Sequence, residues 1–417
     1  MRYVSPRFGF AWDVKGDGKT SVRGGYGLFF DTPETWLYNN LNDYTPFAFS
    51  VRFLDGSFDD PYAGRRNLNI FPYSGDFDPK IPYQLPFNFD SLEHQYKLSY
   101  TQNWNLTVER RLGADWLLRL GYVGSKSTHL ATGYDSNAPI YNFSQTLSQN
   151  QSTIDQRRPL SPYYGYIFLM SNPLGQFYNG LLTSINKRFS RGFSVLGSYT
   201  WSKNIDYNST NNNMEDSTIQ NPFNFNHSRG LADSDHPQRF VGSFVWELPG
   251  KKLSSNALSA VLGNWQMSGI VTLQSGRPFS VSSSGDRTAG AANGGNGDAF
   301  ADLAGNLSVT GGSRGQQIAQ YFNTSAVAQA VAGTYGALGR NILRGPGFNN
   351  TDMSVSRAFP LHFREGAKLS FRTEFFNLFN RPQLGQPNAT IGNRTFGRIT
   401  SSASGPRILQ LSLKVEF

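Results

Sequence analysis

From Leu409 to the last residue the chain alternates strictly. Leu409, Leu411, Leu413, Val415 and Phe417 are apolar, and Gln410, Ser412, Lys414 and Glu416 between them are polar or charged. Successive side chains of a β-strand point to opposite faces, so such a segment has one apolar and one polar side. The segment before it does the same, with Leu369, Phe371, Thr373 and Phe375 set against Lys368, Ser370, Arg372 and Glu374. So do Phe8, Phe10 and Trp12 near the N-terminus, Trp116, Leu118, Leu120 and Tyr122, and then Phe193, Val195, Tyr199 and Trp201. This period of two predicts about eleven strands, over 4–14, 19–30, 97–110, 116–125, 177–190, 193–204, 238–249, 264–274, 347–359, 367–380 and 407–417.

The links between these spans are of two kinds. Lys15-Gly16-Asp17-Gly18, Leu112-Gly113-Ala114-Asp115 and Arg191-Gly192 have the chemistry of tight hairpin turns, and the link over 360–366 is also short. The alternate links, 31–96, 126–176, 205–237, 275–346 and 381–406, are long, and 250–263 is the one longer member of the first set. Short turns at one end and long loops at the other are the asymmetry of outer-membrane barrels, which a soluble sandwich has no reason to keep. About 10 residues per strand at ~3.3 Å, tilted near 45°, match the ~25 Å apolar band of such a barrel. Trp12, Trp104, Trp116, Trp201, Trp246 and Trp265 sit near strand ends, where an interfacial girdle would lie. The expected class is all-β: an antiparallel transmembrane β-barrel with long extracellular loops.

Composition supports this and closes other routes. Hydrophobic residues are 38% and charged residues 16%, yet aromatics reach 14% and there are 43 glycines. Disordered chains are poor in aromatics, whereas strands with one face in lipid and one in water suit this balance. With no cysteine, disulfides, thiolate metal sites and cysteine nucleophiles are all excluded. The net charge of +9 is scattered rather than gathered into a stripe, which argues against nucleic acid as a partner. No window holds the ~18 consecutive apolar residues of a transmembrane helix, and the first residues carry no apolar signal segment. A barrel protein must first cross the inner membrane, so residues 1–417 are expected to be a portion of a longer chain that begins inside the barrel.

Candidate chemistry is thin. Gly311-Gly312-Ser313-Arg314-Gly315 fits a nucleophile-elbow pattern, but no βαβ units surround it and a flexible loop is the expectation. Gly18-Lys19-Thr20 lacks the first glycine of a phosphate loop, since that position is Asp13, and it opens a strand. Gly294-Gly295-Asn296-Gly297-Asp298 is a single imperfect copy of a calcium repeat. Of His94, His129, His227, His236 and His362, none falls at metal-ligand spacing with another, although His227 and His236 share a loop with Asp233 and Asp235; a solvated polar loop is expected there. No catalytic, metal or cofactor residue is assigned. Alternation places Arg119, Arg239, Arg372, Glu374 and Lys414, with Arg7, Arg23 and Arg188, on the inward, lumen-facing side. Such residues give either a positive lumen or a polar one balanced by Glu109, Glu247 and Glu374.

Ser5-Pro6-Arg7-Phe8-Gly9-Phe10-Ala11-Trp12 and Gly18-Lys19-Thr20-Ser21-Val22-Arg23-Gly24-Gly25-Tyr26-Gly27 resemble barrel strands of Oar-like TonB-dependent receptors. So do Arg340-Asn341-Ile342-Leu343-Arg344-Gly345-Pro346-Gly347 and Phe371-Arg372-Thr373-Glu374-Phe375-Phe376-Asn377-Leu378-Phe379-Asn380-Arg381-Pro382. The set Leu409, Leu411, Leu413, Val415 and Phe417 is similar to the signal read by the barrel-assembly machinery. The resemblance covers essentially the whole chain. It implies a barrel of about 22 strands, plugged by an N-terminal domain and energised by TonB–ExbB–ExbD. On that reading residues 1–417 are the C-terminal half of the barrel, without plug domain, TonB-contacting box or signal peptide. The surroundings would be outer-membrane lipid and lipopolysaccharide, and the substrate a peptide, glycan or metal chelate. Three other readings stand beside it: a passive porin-like barrel of about twelve strands, a soluble β-sandwich adhesin or glycan-binding module, and an envelope hydrolase using Ser313.

Overall fold

The computed structural model describes residues 3–32, 41, 57–60, 85–209, 219–249, 263–292, 299–361 and 364–417. In chain order its strands are β1 (Arg7–Asp13), β2 (Thr20–Phe30), β3 (Phe87–Leu92), β4 (Tyr100–Leu112), β5 (Trp116–Asp135), β6 (Tyr164–Ser190) and β7 (Phe193–Asp206). There follow β8 (Gly230–Leu231), β9 (Gln238–Glu247), β10 (Trp265–Gln274), β11 (Pro278–Phe279), β12 (Asp302–Leu303), β13 (Val327–Ala328) and β14 (Leu343–Arg344). The last are β15 (Phe348–Pro360), β16 (Lys368–Phe376) and β17 (Ile408–Glu416). One sheet runs β1-β2-β4-β5-β6-β7-β9-β10-β15-β16-β17, every neighbour antiparallel, with β3 and β8 attached off the path. Each of the eleven spans expected from alternation holds one strand of this path.

Register keeps one face predominantly apolar across the sheet, with Arg110, Lys187 and Arg357 among its exceptions. Leu409, Leu411, Leu413 and Val415 lie opposite Phe375, Thr373, Phe371 and Leu369, and these lie opposite Met353, Val355, Arg357 and Phe359. The same face continues through Trp265, Met267 and Val271 to Trp246, Phe244 and Phe240, and on to Trp201, Leu181, Tyr122 and Leu106. It is bare: Leu411 is 70% exposed, Leu413 68% and Phe417 72%. A water-soluble sheet buries such a row, whereas a membrane wall presents it to lipid. Aromatic rings on this face lie flat over glycines of the next strand, Phe10 over Gly24, Trp104 over Gly124 and Phe244 over Gly269. A Cβ at Gly269 would come within 2.7 Å of the Phe244 ring.

The sheet has two unlike ends. The links β1–β2, β4–β5, β6–β7, β9–β10 and β15–β16 gather at one, and β2–β4, β5–β6, β7–β9, β10–β15 and β16–β17 at the other. At the first end Asp13 holds its turn by accepting from the backbone N–H groups of Gly16 at 3.1 Å and Gly18 at 2.7 Å. Ser190–Phe193 is a two-residue hairpin, with Arg191 at φ 53° and Gly192 at φ 83°. The links over 250–262 and 362–363 lie outside the described residues.

The long-loop end departs from expectation. The link over 126–176 is largely strand: β5 runs on to Asp135 and β6 begins at Tyr164, so their hairpin projects past its neighbours. The pairing shifts register at Thr128/Leu130 and Leu130/Thr132, and His129 has φ 60°. Bulges insert unpaired residues and break the period of two, which hides the extension from an alternation test. β3 pairs parallel to the outer part of β6, and Phe168 and Met170 pack there against Leu92 and Tyr96. The loops over 275–347 and 377–407 share a small core of their own, built from Phe279, Val281, Tyr321, Phe322, Leu343 and Ile399. The pairs β11–β14 and β12–β13 lie within this body, and the first continues the β10–β15 hairpin outward.

Candidate functional site

The polar face carries the charge that alternation assigned to it. Arg119, Arg239, Arg372, Glu374 and Lys414 all lie on the side opposite the apolar row. Charge there is mostly paired. Arg119 donates from Nε and Nη2 to Glu109 Oε1, each at 2.7 Å, and Arg23 Nη2 lies 3.8 Å from Glu109 Oε2. Arg372 reaches Glu374 at 2.6 Å, and Glu416 takes Lys368 at 2.8 Å and Lys414 at 3.1 Å. Toward both ends of the sheet path one carboxylate is thus shared by two cations, Glu109 by Arg23 and Arg119 and Glu416 by Lys368 and Lys414. A surplus remains on β2–β6, where Arg111 and Arg188 line a pocket of about 240 Å³ with Arg23, Glu109, Asp115 and Asn186. Neither Arg111 nor Arg188 has a carboxylate at ion-pair distance among the described residues.

At the opposite end, buried arginines tie the loops together. Arg340, in the 275–347 loop, meets Asp206 at the end of β7, donates to Ser209 Oγ at 2.6 Å and lies 3.1 Å from Asp233. Asn341 donates to the Leu231 carbonyl at 2.7 Å and to Asp233 at 2.6 Å. Arg344 pairs with Asp235, whose other oxygen accepts the Asn204 N–H at 2.6 Å. These are high-stakes contacts, because a buried charge with its partner removed is strongly unfavourable. The β5–β6 hairpin is held in the same way: Arg158 Nη1 sits 2.5 Å from Asp135, and Arg157 reaches across to the Ala289 carbonyl at 2.7 Å. Three long loops therefore form one connected, hydrogen-bonded surface.

Asp233 and Asp235, which share a loop with His227 and His236, are thus engaged by guanidinium groups. His227 is half-buried between Phe300 and Tyr335 with Nε2 3.2 Å from the Tyr335 carbonyl, and burial lowers its pKa. Burial also pushes the hydroxyls of Tyr321 and Tyr335 up to about 12. Ser313 caps a helical turn at Arg314–Ala319, its Oγ accepting the Gln316 N–H at 3.4 Å, with Gln316 returning a bond to the Ser313 N–H at 2.7 Å. The apparent elbow is therefore a capping box. Gly18-Lys19-Thr20 closes the β1–β2 hairpin. Gly294–Asp298 and His362 lie outside the described residues. Among the described residues no three His, Cys, Asp or Glu side chains converge as a metal site.

Sequence reasoning did not single out the arginine–aspartate ties. Arg340 and Arg344 stand in a segment already notable for its resemblance, but their partners are more than a hundred residues away, and no local period links them.

A family model described as "Outer membrane beta barrel domain" matches residues 1–410. No curated protein sequence matches the chain. Among solved structures, the outer membrane transporter YddB from Escherichia coli is similar at 12% identity, with TM-score 0.48, over 98% of this chain and 40% of that one. The ferric enterobactin receptor PfeA from Pseudomonas aeruginosa is similar at 10% identity, with TM-score 0.45, over 98% of this chain and 39% of that one. BauA, the ferric preacinetobactin receptor from Acinetobacter baumannii, gives 12% identity and TM-score 0.43, over 99% and 36%. The chain spans two fifths or less of the length of each of these solved chains.

Proposed function

Since the chain belongs to the outer-membrane β-barrel domain family and is a protein of the outer membrane, we propose that it forms part of the wall of a TonB-dependent receptor. The observation that carries this reading is the sheet itself. Eleven antiparallel strands present one continuous apolar face, with tight turns at one end and folded loops at the other. In this reading residues 1–417 are the C-terminal portion of the barrel. The long loops stand outside the cell and gather the substrate, a peptide, glycan or metal chelate, and the polar face lines the passage. Arg119, Arg239, Arg372, Glu374 and Lys414 are lumen-facing, and TonB–ExbB–ExbD supplies energy through another part of the receptor. Leu409, Leu411, Leu413, Val415 and Phe417 serve as the assembly signal for the barrel-assembly machinery. Their exposure on an edge strand suits recognition by strand addition.

Two experiments test this. Single cysteines in the cysteine-free chain report the faces: Lys414→Cys should react with a water-soluble maleimide in isolated outer membranes, and Leu411→Cys should be shielded by lipid. Equal labelling of both would defeat the membrane-wall assignment. Uptake is read by comparing nutrient use in a strain lacking this chain with one lacking TonB. A substrate lost to both supports the receptor. A substrate lost only with this chain points to a passive pore.

A further inference from the structure

The pocket of about 240 Å³ at the short-turn end opens on the polar face, and its charges do not cancel. Arg111 of β4 lies opposite Leu117 of β5, Leu117 lies opposite Asn186 of β6, and Arg188 follows two residues on, on the same face. Lys19, Arg23, Arg111 and Arg188 line the space against two carboxylates, Glu109 and Asp115. Both acids are already engaged. Glu109 accepts from Arg119 at 2.7 Å and lies 3.8 Å from Arg23, and Asp115 accepts the Ser190 hydroxyl at 2.6 Å. Lys19 has Asp17 at 3.6 Å. Counting the outside partners Arg119 and Asp17 leaves the same surplus of two positive charges. Among the described residues, the guanidinium groups of Arg111 and Arg188 make no hydrogen bond or ion pair.

A guanidinium presents a planar fork of N–H donors that matches an oxyanion through paired hydrogen bonds, and such charge-assisted bonds are the strong ones. A carboxylate has two oxygens and suits one fork. A phosphate group presents three strong acceptor oxygens and close to two negative charges at neutral pH, which suits two forks and a surplus of two cations. Leu117 and Ala114 give the space an apolar side, where attraction between charges is less screened. The volume is below the roughly 300–1,000 Å³ of pockets that enclose whole organic ligands, so an anionic group fits rather than an entire substrate. We propose that this pocket binds a phosphate-class oxyanion, free phosphate or the phosphoryl group of a larger solute, held between Arg111 and Arg188. The inference rests on the polar face being the one in water, as proposed above.

The test uses protein extracted from outer membranes into detergent, with folding confirmed by heat-modifiable migration. Isothermal titration at constant ionic strength compares inorganic phosphate, glucose 6-phosphate, glucose and acetate. The wild-type protein should bind phosphate at one site, and acetate about tenfold more weakly or worse. R111Q/R188Q should lower the phosphate affinity about tenfold or more. R111K/R188K should lower it less, because the charge stays while the fork is lost, and K15Q, in a short turn, should leave it unchanged. Glucose 6-phosphate that competes with phosphate while glucose stays inert assigns the site to a phosphoryl group on a larger solute; phosphate bound without such competition assigns it to the free ion. Acetate bound as tightly as phosphate, or undiminished phosphate binding by R111Q/R188Q, would overturn the proposal. The wet face is read separately by the maleimide labelling of Lys414→Cys. Shielding there defeats the face assignment and this inference together; labelling there with no phosphate binding defeats this inference alone.

Discussion

Arg191 and Gly192 join β6 to β7 with both φ angles positive, 53° and 83°. Such a turn matches the right-handed twist of its strands and favours Asn-Gly over any branched pair. Gly192→Val should therefore cost about 1–2 kcal/mol, and Arg191→Asn should be neutral or mildly stabilising. The shift of the urea unfolding midpoint in micelles measures both. His227 gives a pH dependence of opposite character to a salt-bridged histidine. Burial lowers its pKa, so the neutral form is the one the folded loops hold. Its contribution is intact above the unfolded value of ~6.5 and is lost as pH falls through the lower folded value. Protection factors of amides in the 219–231 and 299–335 loops, corrected for the intrinsic pH dependence of exchange, should fall below about pH 6 in the wild type and not in His227→Gln. An acid response that survives in His227→Gln would assign it elsewhere.

At the level of elements, strands and loops are stabilised differently. The strands need only alternate correctly and place glycine beneath a ring, as at Gly124 under Trp104. The loops need specific distant partners. Arg340→Ala removes the guanidinium partner of Asp206, both side chains being almost fully buried, and takes one of two donors from Asp233 and from Ser209. We expect a local loss of about 3–5 kcal/mol. Limited proteolysis should then cut within the 275–347 loop, while β4–β7 keep their exchange protection. Cleavage no faster than in the wild type would show that the aromatic core around Phe322 suffices without the arginine. The strands were legible in the sequence because a period of two is local. The outer part of β5–β6 was not, because register shifts at Thr128–Thr132 interrupt that period. β3 was missed because it joins β6 in parallel from a distant segment.

For the whole molecule, the open question is how the sheet closes. β1 runs into the β1–β2 turn, and β17 runs from the long-loop end toward the short-turn end, so the two edges point the same way. An antiparallel seam at both edges therefore requires an odd number of further strands. Two copies of this chain in the same membrane orientation present only parallel edges to each other. Unpaired backbone groups are costly in lipid, so a sheet left open would fray at those edges. In the chain folded by itself, amide exchange should be fastest in β1 and β17 and slowest in β5 and β6. Protection of the edges equal to that of β7 would mean that they are already joined, in parallel or to another chain.

The sequence by itself determined the class of fold, the number of strands in the main path, the face each side chain takes and the end on which the long links fall. All of these follow from a side-chain period of two and from turn chemistry, which act between residues close in the chain. Only the tertiary structure decided that the long loops are folded rather than loose. It also decided that Asp206, Asp233 and Asp235 answer to arginines more than a hundred residues away. Those contacts join segments with no common period, and they exist only once pairing has brought the strands side by side.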